Sequence, residues 1–153
     1  MSDNRYMEAA LEQAQRALEA DESPVGAVIV YEGKIIAEAH NCVEKSGDPT
    51  CHAELLAIRE AAKVIGGWRL TGCSLYVTLE PCAMCAGAII QSRIDNVYFG
   101  AYAPKSGCAG SLYDLLSEGK FNHTPHVEGG ILEERCGAIL TGYFLGKRKN
   151  DNK

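Results

Sequence analysis

The sequence Ser74-Leu-Tyr-Val-Thr-Leu-Glu-Pro-Cys-Ala-Met-Cys85 joins a β-prone run to the beginning of a helix, and it decides the fold. Residues 74–79 are rich in apolar, aromatic and β-branched side chains, which favour a buried strand. Pro81 is compatible with the first turn of a helix, and the small and apolar residues from about Cys82 to Gln91 predict that helix. A strand that leads directly into a helix is typical of an α/β layer architecture.

The flanking sequence continues this alternation of strands and helices. Upstream, Glu32-Gly33 separates two β-prone runs and predicts a hairpin, and a helix is predicted between Asp48-Pro49-Thr50 and Gly66-Gly67. Downstream, Asn96–Phe99 predicts a fourth strand, which a polar loop follows. Apolar residues with helical spacing predict a first and a last helix: Tyr6, Met7, Ala10, Leu11, Ala14, Ala17 and Leu18, then Ile131, Leu132, Cys136, Ile139, Leu140, Tyr143 and Phe144. We therefore predict helices packed over a mixed sheet, with a fifth short strand that the pattern does not place.

The composition is typical of a folded globular domain. The 153-residue chain is 46% hydrophobic and 23% charged, with a net charge of −5. It contains no repeat or flexible linker, so residues 1–153 are expected to form a single domain. No apolar run approaches the ~20 residues of a membrane span. Residues 1–6 also lack the basic and apolar segments of a secretory signal, which predicts a cytoplasmic location.

Seven cysteines are present, at positions 42, 51, 73, 82, 85, 108 and 136. Because their number is odd and no export signal is visible, a disulfide framework is not expected. Isolated cysteines usually behave as small buried apolar residues, and we expect this of Cys42, Cys73, Cys108 and Cys136. The pair Cys82 and Cys85 differs, because a three-residue step places both sulfurs on nearly the same face of a helix.

Cys82 and Cys85 have the spacing of two thiolate ligands for zinc. The partial positive charge of a helix N-terminus favours thiolate over thiol. His52 is the best third ligand, because Glu54 follows it and both side chains can converge only at the beginning of a helix. Three protein ligands leave a tetrahedral zinc ion one open position for water, which is typical of a catalytic site. Zinc lowers the pKa of such a water to about 7, and we expect Glu54 to transfer its proton.

Other interpretations of these residues stay open on spacing alone. Cys82 and Cys85 could form half of a structural zinc site with Cys51 as the nearest fourth ligand, or a thioredoxin-like redox pair. A zinc-stabilised binding module without catalytic activity is a further alternative, and a histidine on a helix is commonly only a hydrogen-bonded polar residue. His52-x-Glu54 followed about thirty residues later by Pro81-Cys-x-x-Cys85 is far more specific than either motif alone.

This combined motif resembles the signature of the zinc-dependent cytidine and adenosine deaminase superfamily. Within the superfamily the chain is most similar to bacterial tRNA adenosine deaminases, which convert adenosine to inosine at the wobble position of the anticodon. The similarity covers nearly the whole chain and is carried by Pro24–Val28, Asp48–Glu54, Thr78–Ala88, Pro104–Leu112 and Asn122-His123. It implies a three-layer α/β/α sandwich around a mixed five-stranded sheet, a homodimer, one zinc ion per subunit and a tRNA anticodon stem-loop as substrate. A deaminase of a free nucleobase or nucleoside on the same scaffold is the alternative.

The resemblance also implies a role for individual residues. His52, Cys82 and Cys85 would bind zinc, and Glu54 would transfer protons while water attacks C6 of adenine and ammonia leaves. Six further positions match substrate-contacting residues of the family: Asn41 at the flipped base, Val25 in the pocket wall, and Lys105, Asn122, Phe144 and Arg148 at the anticodon loop. The alternative explanations are strand core for Val25, a turn for Asn41 and helix packing for Phe144.

Two positions depart from the family pattern. Ala103 stands where the family usually has an aspartate that contacts a ribose hydroxyl, which predicts weaker discrimination between RNA and DNA. Leu145-Gly146 predicts an interruption in a C-terminal helix that is usually continuous and more basic. The net charge of −5 is unusual for an RNA-binding protein, but residues 143–153 contain four basic residues and one acidic residue. This tail is either a phosphate-binding segment or a solvated terminus.

Overall fold

The computed structural model describes residues 2–151, with side chains described for residues 2–147. The helices in these residues are α1 (Asn4–Glu19), α2 (Val43–Ser46), α3 (Ala53–Ile65), α4 (Ala83–Ser92) and α5 (Glu133–Asp151). The strands are β1 (Gly26–Tyr31), β2 (Lys34–His40), β3 (Cys73–Leu79), β4 (Asn96–Ala101) and β5 (His126–Glu128). Every helix and strand that the sequence places is present, and its bounds agree within a few residues.

The five strands form a single mixed sheet in the order β2-β1-β3-β4-β5. Strand β1 pairs antiparallel with β2 and β3, whereas β3, β4 and β5 run parallel to one another. Helices α1 and α5 contact each other on one side of the sheet, and α3 and α4 contact each other on the other side. The predicted three-layer α/β/α sandwich around a mixed five-stranded sheet is therefore confirmed.

The central strand β3 is buried along its length, because helices cover both faces of the sheet. Strand β3 ends at Leu79 and α4 begins at Ala83, so the Pro81-Cys82 turn lies at the carboxyl end of the central strand. In open α/β sheets, ligands bind outside the carboxyl ends of the parallel strands. The fold therefore places the predicted cysteine ligands at the end of the sheet where a site is expected.

Three features go beyond the sequence prediction or correct it. The short helix α2 was not predicted, and the fifth strand, β5, pairs with Asn96–Tyr98 of β4. Helix α5 runs without a break through Leu145-Gly146, so the predicted interruption is wrong. A glycine inside a helix costs only about 1 kcal/mol relative to alanine, and this penalty does not end a helix by itself.

Among the described residues, no helix is both long enough and apolar enough to span a bilayer.

Candidate metal centre and its surroundings

His52 occupies the position directly before α3. Its backbone is extended, with φ −77° and ψ 149°, and Ala53 begins the helix. The preceding turn is shaped by Asp48, whose carboxylate accepts hydrogen bonds from the Thr50 N–H at 2.8 Å and the Thr50 hydroxyl at 2.7 Å. Glu54 falls in the first helical turn, so both residues of the His-x-Glu motif lie at the N-terminus of α3.

The cysteine pair is held at the N-terminus of α4. Cys82 precedes the helix, with φ −78° and ψ 178°, whereas Cys85 lies in the first turn. The helix thus begins one residue later than the sequence predicts. Cys82 is thus extended and Cys85 is helical, and their ligand atoms lie within 4.8 Å of each other.

The side chains of His52, Cys82 and Cys85 converge on one point. Nδ1 of His52 lies 3.6 Å from Sγ of Cys82 and 3.7 Å from Sγ of Cys85, and the three ligand atoms lie within 4.8 Å of one another. A tetrahedral zinc ion with ordinary Zn–N and Zn–S bonds requires nitrogen–sulfur separations of about 3.6 Å. The cluster therefore fits zinc. Cys51, the fourth ligand of the structural alternative, is not part of this cluster in the described residues.

The ionisation of the cluster suits metal binding. A hydrogen bond from Cys85 lowers the pKa of Cys82 to about 4 against the opposing effect of burial, which favours the thiolate form of Cys82. The same hydrogen bond, together with burial, raises the pKa of Cys85. Glu54 is only 4% exposed, and this burial raises its pKa to about 7. The charge of Cys82 also raises this pKa, whereas the charge of His52 lowers it.

Comparison with known proteins identifies the centre. A family model for the zinc-binding region of cytidine and deoxycytidylate deaminases matches residues 1–101, which include the three ligands and Glu54. The chain belongs to this deaminase family. The predicted zinc cofactor is confirmed, because the family's zinc-binding region coincides with a cluster whose geometry fits the ion.

The deaminase is similar to tRNA-acting relatives over almost its whole length. The tRNA-specific adenosine deaminase of Bacillus subtilis is 52% identical over 147 residues, which are 96% of this chain and 91% of that protein. A solved structure from a study of A-to-I editing by tRNA deaminases at the wobble position has a TM-score of 0.87 and 43% identity, and it covers 90% of this chain and 100% of its own. A guanine deaminase of Bacillus subtilis has a TM-score of 0.64 and 45% identity, over 67% of this chain and 66% of its own. The resemblance to bacterial tRNA adenosine deaminases is confirmed.

Val25 and Asn41 lie next to each other at one end of the deaminase sheet. The Asn41 N–H donates to the Val25 carbonyl at 3.1 Å, immediately beyond the paired ends of β1 and β2. Both residues are buried. Asn41 also lines a cavity of about 420 Å³ together with Phe144 and Lys147. The structure thus brings two of the predicted substrate residues together.

Lys105 and Phe144 line a second cavity, of about 510 Å³, between α5 and the loop that follows β4. Phe144 is 50% exposed, which argues against its interpretation as helix packing. Phe144 therefore lines both the cavity that contains Asn41 and the cavity that contains Lys105. Arg148 belongs to α5, but its side chain lies outside the described residues.

Asn122 is not brought to the metal centre within one chain. Its neighbour His123 donates a hydrogen bond from Nε2 to the Ile94 carbonyl at 2.7 Å, and β5 begins beside Asn96. These contacts fix the segment near the start of β4, whereas Lys105 follows the end of that strand. A strand rises about 3.3 Å per residue, so the start of β4, near Asn122, lies roughly 15–20 Å from its end, which Lys105 follows.

Two buried carboxylates beside the site, Glu22 and Glu80, belong to no motif in the sequence. Glu22 accepts hydrogen bonds from the N–H groups of Glu44 at 2.9 Å and Lys45 at 2.7 Å, at the beginning of α2. Burial raises the pKa of Glu80, but hydrogen bonds from the loop after β4 outweigh it and lower the pKa below its usual value. The only sequence signal for either residue is an acidic side chain near a proline at the boundary of an apolar strand.

Proposed function

We propose that this deaminase hydrolyses adenosine to inosine at the wobble position of a tRNA anticodon. The observation that carries the proposal is that high identity to tRNA deaminases extends over nearly the whole chain. The tRNA deaminase structure covers 90% of the chain at 43% identity with a TM-score of 0.87, whereas a guanine deaminase from Nitrosomonas europaea covers 93% at only 25% identity with a TM-score of 0.77. The guanine deaminase of Bacillus subtilis is 45% identical but covers only 67% of the chain, with a TM-score of 0.64. The specificity for RNA is therefore inferred from high identity over nearly the whole chain, because the fold itself is shared with guanine deaminases.

In the proposed reaction His52, Cys82 and Cys85 hold zinc, which supplies Lewis-acid activation of the attacking water. Glu54 accepts one proton of that water and transfers it to N1 of adenine as the bond between oxygen and C6 forms. Glu54 then moves the second proton from this oxygen to the amino group, the C6–N bond breaks, and ammonia leaves. The burial of Glu54 keeps bulk water away from these transfers and fixes the position of the carboxyl group.

The residues around the two cavities are proposed to hold the RNA. Asn41 hydrogen-bonds the flipped adenine and Val25 forms a wall of its pocket, which the contact between the two residues supports. Lys105 attracts the phosphates of the anticodon loop, and the exposed ring of Phe144 offers a surface on which a base can stack. Arg148 extends the basic surface along the C-terminal tail.

The remaining parts of the proposal concern assembly and location. We infer a homodimer of single-domain chains, residues 1–153, that acts on tRNA in the cytoplasm. In this proposal Asn122 contacts a part of the stem-loop remote from the edited base, because its position near the start of β4 is far from the metal centre.

A deaminase of free nucleobases is the second candidate, which the 45% identity to a guanine deaminase favours. Ammonia release distinguishes the two functions. The zinc-loaded protein is incubated with an anticodon stem-loop that has adenosine at the wobble position, and separately with guanine, cytosine and adenosine. We expect ammonia only from the stem-loop, and none from a control stem-loop with guanosine at that position. Ammonia from a free base, with the stem-loop inert, would contradict the proposal.

A further inference from the structure

Glu80 is a buried carboxylate between the metal ligands and the loop 103–111. It is 3% exposed, and its side chain accepts four hydrogen bonds, all from that loop. Oε1 accepts from the Ala103 N–H at 3.0 Å and from the Ser111 hydroxyl. Oε2 accepts from the N–H groups of Ala109 and Ser111, both at 3.0 Å. One carboxylate thus binds both ends of a nine-residue loop.

Backbone contacts join the same loop to the turn that carries Cys82. The Cys108 N–H of the loop donates to the Pro81 carbonyl at 2.8 Å, and the Glu80 N–H donates at 2.9 Å to the carbonyl of Ala101, the last residue of β4 before the loop. Glu80 stands two residues before Cys82 in the sequence. The loop is therefore joined to the turn that carries the cysteine ligands at two consecutive residues, through the side chain of Glu80 and the backbone of Pro81.

The loop is built closely around this carboxylate. Gly107 packs against Glu80, and a Cβ atom at Gly107 would overlap the carboxyl group. A carboxylate has only acceptor sites, which suits the four donors that surround it. An amide of the same shape would place its NH₂ group against backbone N–H donors and leave them unpaired. The four donors therefore require a carboxylate at position 80, and a neutral side chain of the same length does not satisfy them.

We propose that Glu80 is a positioning residue that holds the loop 103–111, and with it Lys105, in place for the RNA. Glu80 is too buried to touch the substrate, so it acts through the loop. The role of Lys105 in this inference rests on the proposed function, whereas the role of Glu80 in ordering the loop does not. A preformed loop favours binding, because the entropic cost of ordering a flexible segment does not have to be met when the RNA binds.

The test compares Glu80→Gln with Glu118→Gln. Glu118 is an exposed acid beyond the loop whose carboxylate pairs only with exposed Lys120, at 3.3 Å, in the described part of the chain. Three quantities are measured: zinc content, the rate of limited tryptic cleavage after Lys105, and the kcat and KM for the anticodon stem-loop. Tryptic cleavage reports the order of the loop and does not depend on activity.

For Glu80→Gln we expect full zinc content, cleavage after Lys105 at least ~10-fold faster, and a KM at least ~10-fold higher with kcat within about 3-fold of the parent. Glu118→Gln is expected to match the parent in all three measurements. Unchanged cleavage and KM in Glu80→Gln would overturn the proposal. Loss of zinc would also overturn it, since Glu80 would then support the ligands and not the loop.

A second variant keeps the test decisive if Glu80→Gln does not fold. Gly107→Ala retains the carboxylate but pushes the loop away from it, because the added Cβ has no room. We expect the same faster cleavage after Lys105 and the same rise in KM, and parent-like values for both would contradict the inference. If the parent protein itself produces no inosine, the proposed function fails, while the cleavage assay still decides whether Glu80 orders the loop.

Discussion

His52 and Cys82 occupy equivalent positions: each is the last extended residue before a helix, and His52 Nδ1 lies 3.6 Å from Cys82 Sγ. The N-termini of α3 and α4 therefore point toward the same place, where their partial positive charges stabilise thiolates. Neither residue uses its side chain to cap its own helix. Both side chains are thus available to a metal, and the beginnings of two helices set the geometry of the centre.

Replacement of one sulfur ligand is expected to remove the metal. In Cys82→Ala only His52 and Cys85 remain, and two protein ligands do not hold zinc tightly. We expect zinc content, measured by elemental mass spectrometry after dialysis, to fall from about one ion per chain to less than about one-tenth. Cys136→Ala is the control, because Cys136 is buried outside the cluster and its loss should leave the zinc content unchanged. Full zinc content in Cys82→Ala would show that the metal is held elsewhere.

Removal of the ionisable group at Glu54 is expected to stop the reaction without releasing the metal. Glu54→Gln keeps the size of a side chain that is 4% exposed, so the fold and the zinc should persist. We expect the rate of inosine formation to fall about 10²–10⁴-fold, the usual contribution of a general acid–base group. Glu60→Gln, at an exposed position of α3, serves as the control. A Glu54→Gln enzyme as active as the parent would exclude Glu54 as the proton carrier.

The alanine at position 103 is expected to weaken the preference for RNA. Ala103→Asp restores an acceptor for a ribose hydroxyl, and one hydrogen bond contributes about 0.5–1.5 kcal/mol. We therefore expect the ratio of kcat/KM for an RNA stem-loop over the matching DNA hairpin to rise about 2–13-fold. Ala103→Val adds bulk without an acceptor and should leave the ratio near that of the parent. The same ratio in Ala103→Asp and the parent would remove any role of this position in sugar discrimination.

Glu22 is expected to contribute to stability rather than to zinc binding. It is 1% exposed, and it accepts the N–H groups of Glu44 and Lys45 at the beginning of α2. Glu22→Gln leaves one buried donor without a suitable acceptor, which we expect to lower the free energy of unfolding by about 1–3 kcal/mol. Urea denaturation measures this change, and Glu19→Gln, at an exposed position, should differ from the parent by less than about 0.5 kcal/mol. Equal unfolding free energies for Glu22→Gln and Glu19→Gln would contradict this role.

Local signals in the sequence predicted most of the fold. The turn at Asp48–Thr50 and the left-handed glycine at Gly66 mark the two ends of α3, and α3 begins and ends there. The β1–β2 hairpin follows from two β-prone runs joined by Glu32-Gly33. The metal ligands could also be predicted, because their residue types and their spacing in the sequence indicate a zinc site. These features depend on residues that are close together in the chain.

Features that depend on distant contacts could not be predicted in this way. Strand β5 has only three residues and is defined by its pairing with β4, about thirty residues earlier. The hydrogen-bond partners of Glu80 lie 23 to 31 residues later in the sequence. No periodic pattern in the sequence predicts these contacts. Only the family resemblance predicts Asn122 at the site, whereas the contact of His123 with Ile94 keeps Asn122 near the start of β4.

The most direct test of the central claim is mass analysis of an anticodon stem-loop before and after incubation with the zinc-loaded protein. After nuclease digestion, we predict that the fragment with the wobble adenosine gains about one dalton, as amine becomes carbonyl, and that every other fragment keeps its mass. With Glu54→Gln the same fragment should stay unchanged over the same time. An unmodified wobble adenosine in the presence of zinc-loaded parent protein, or a mass change at a different adenosine, would contradict the account.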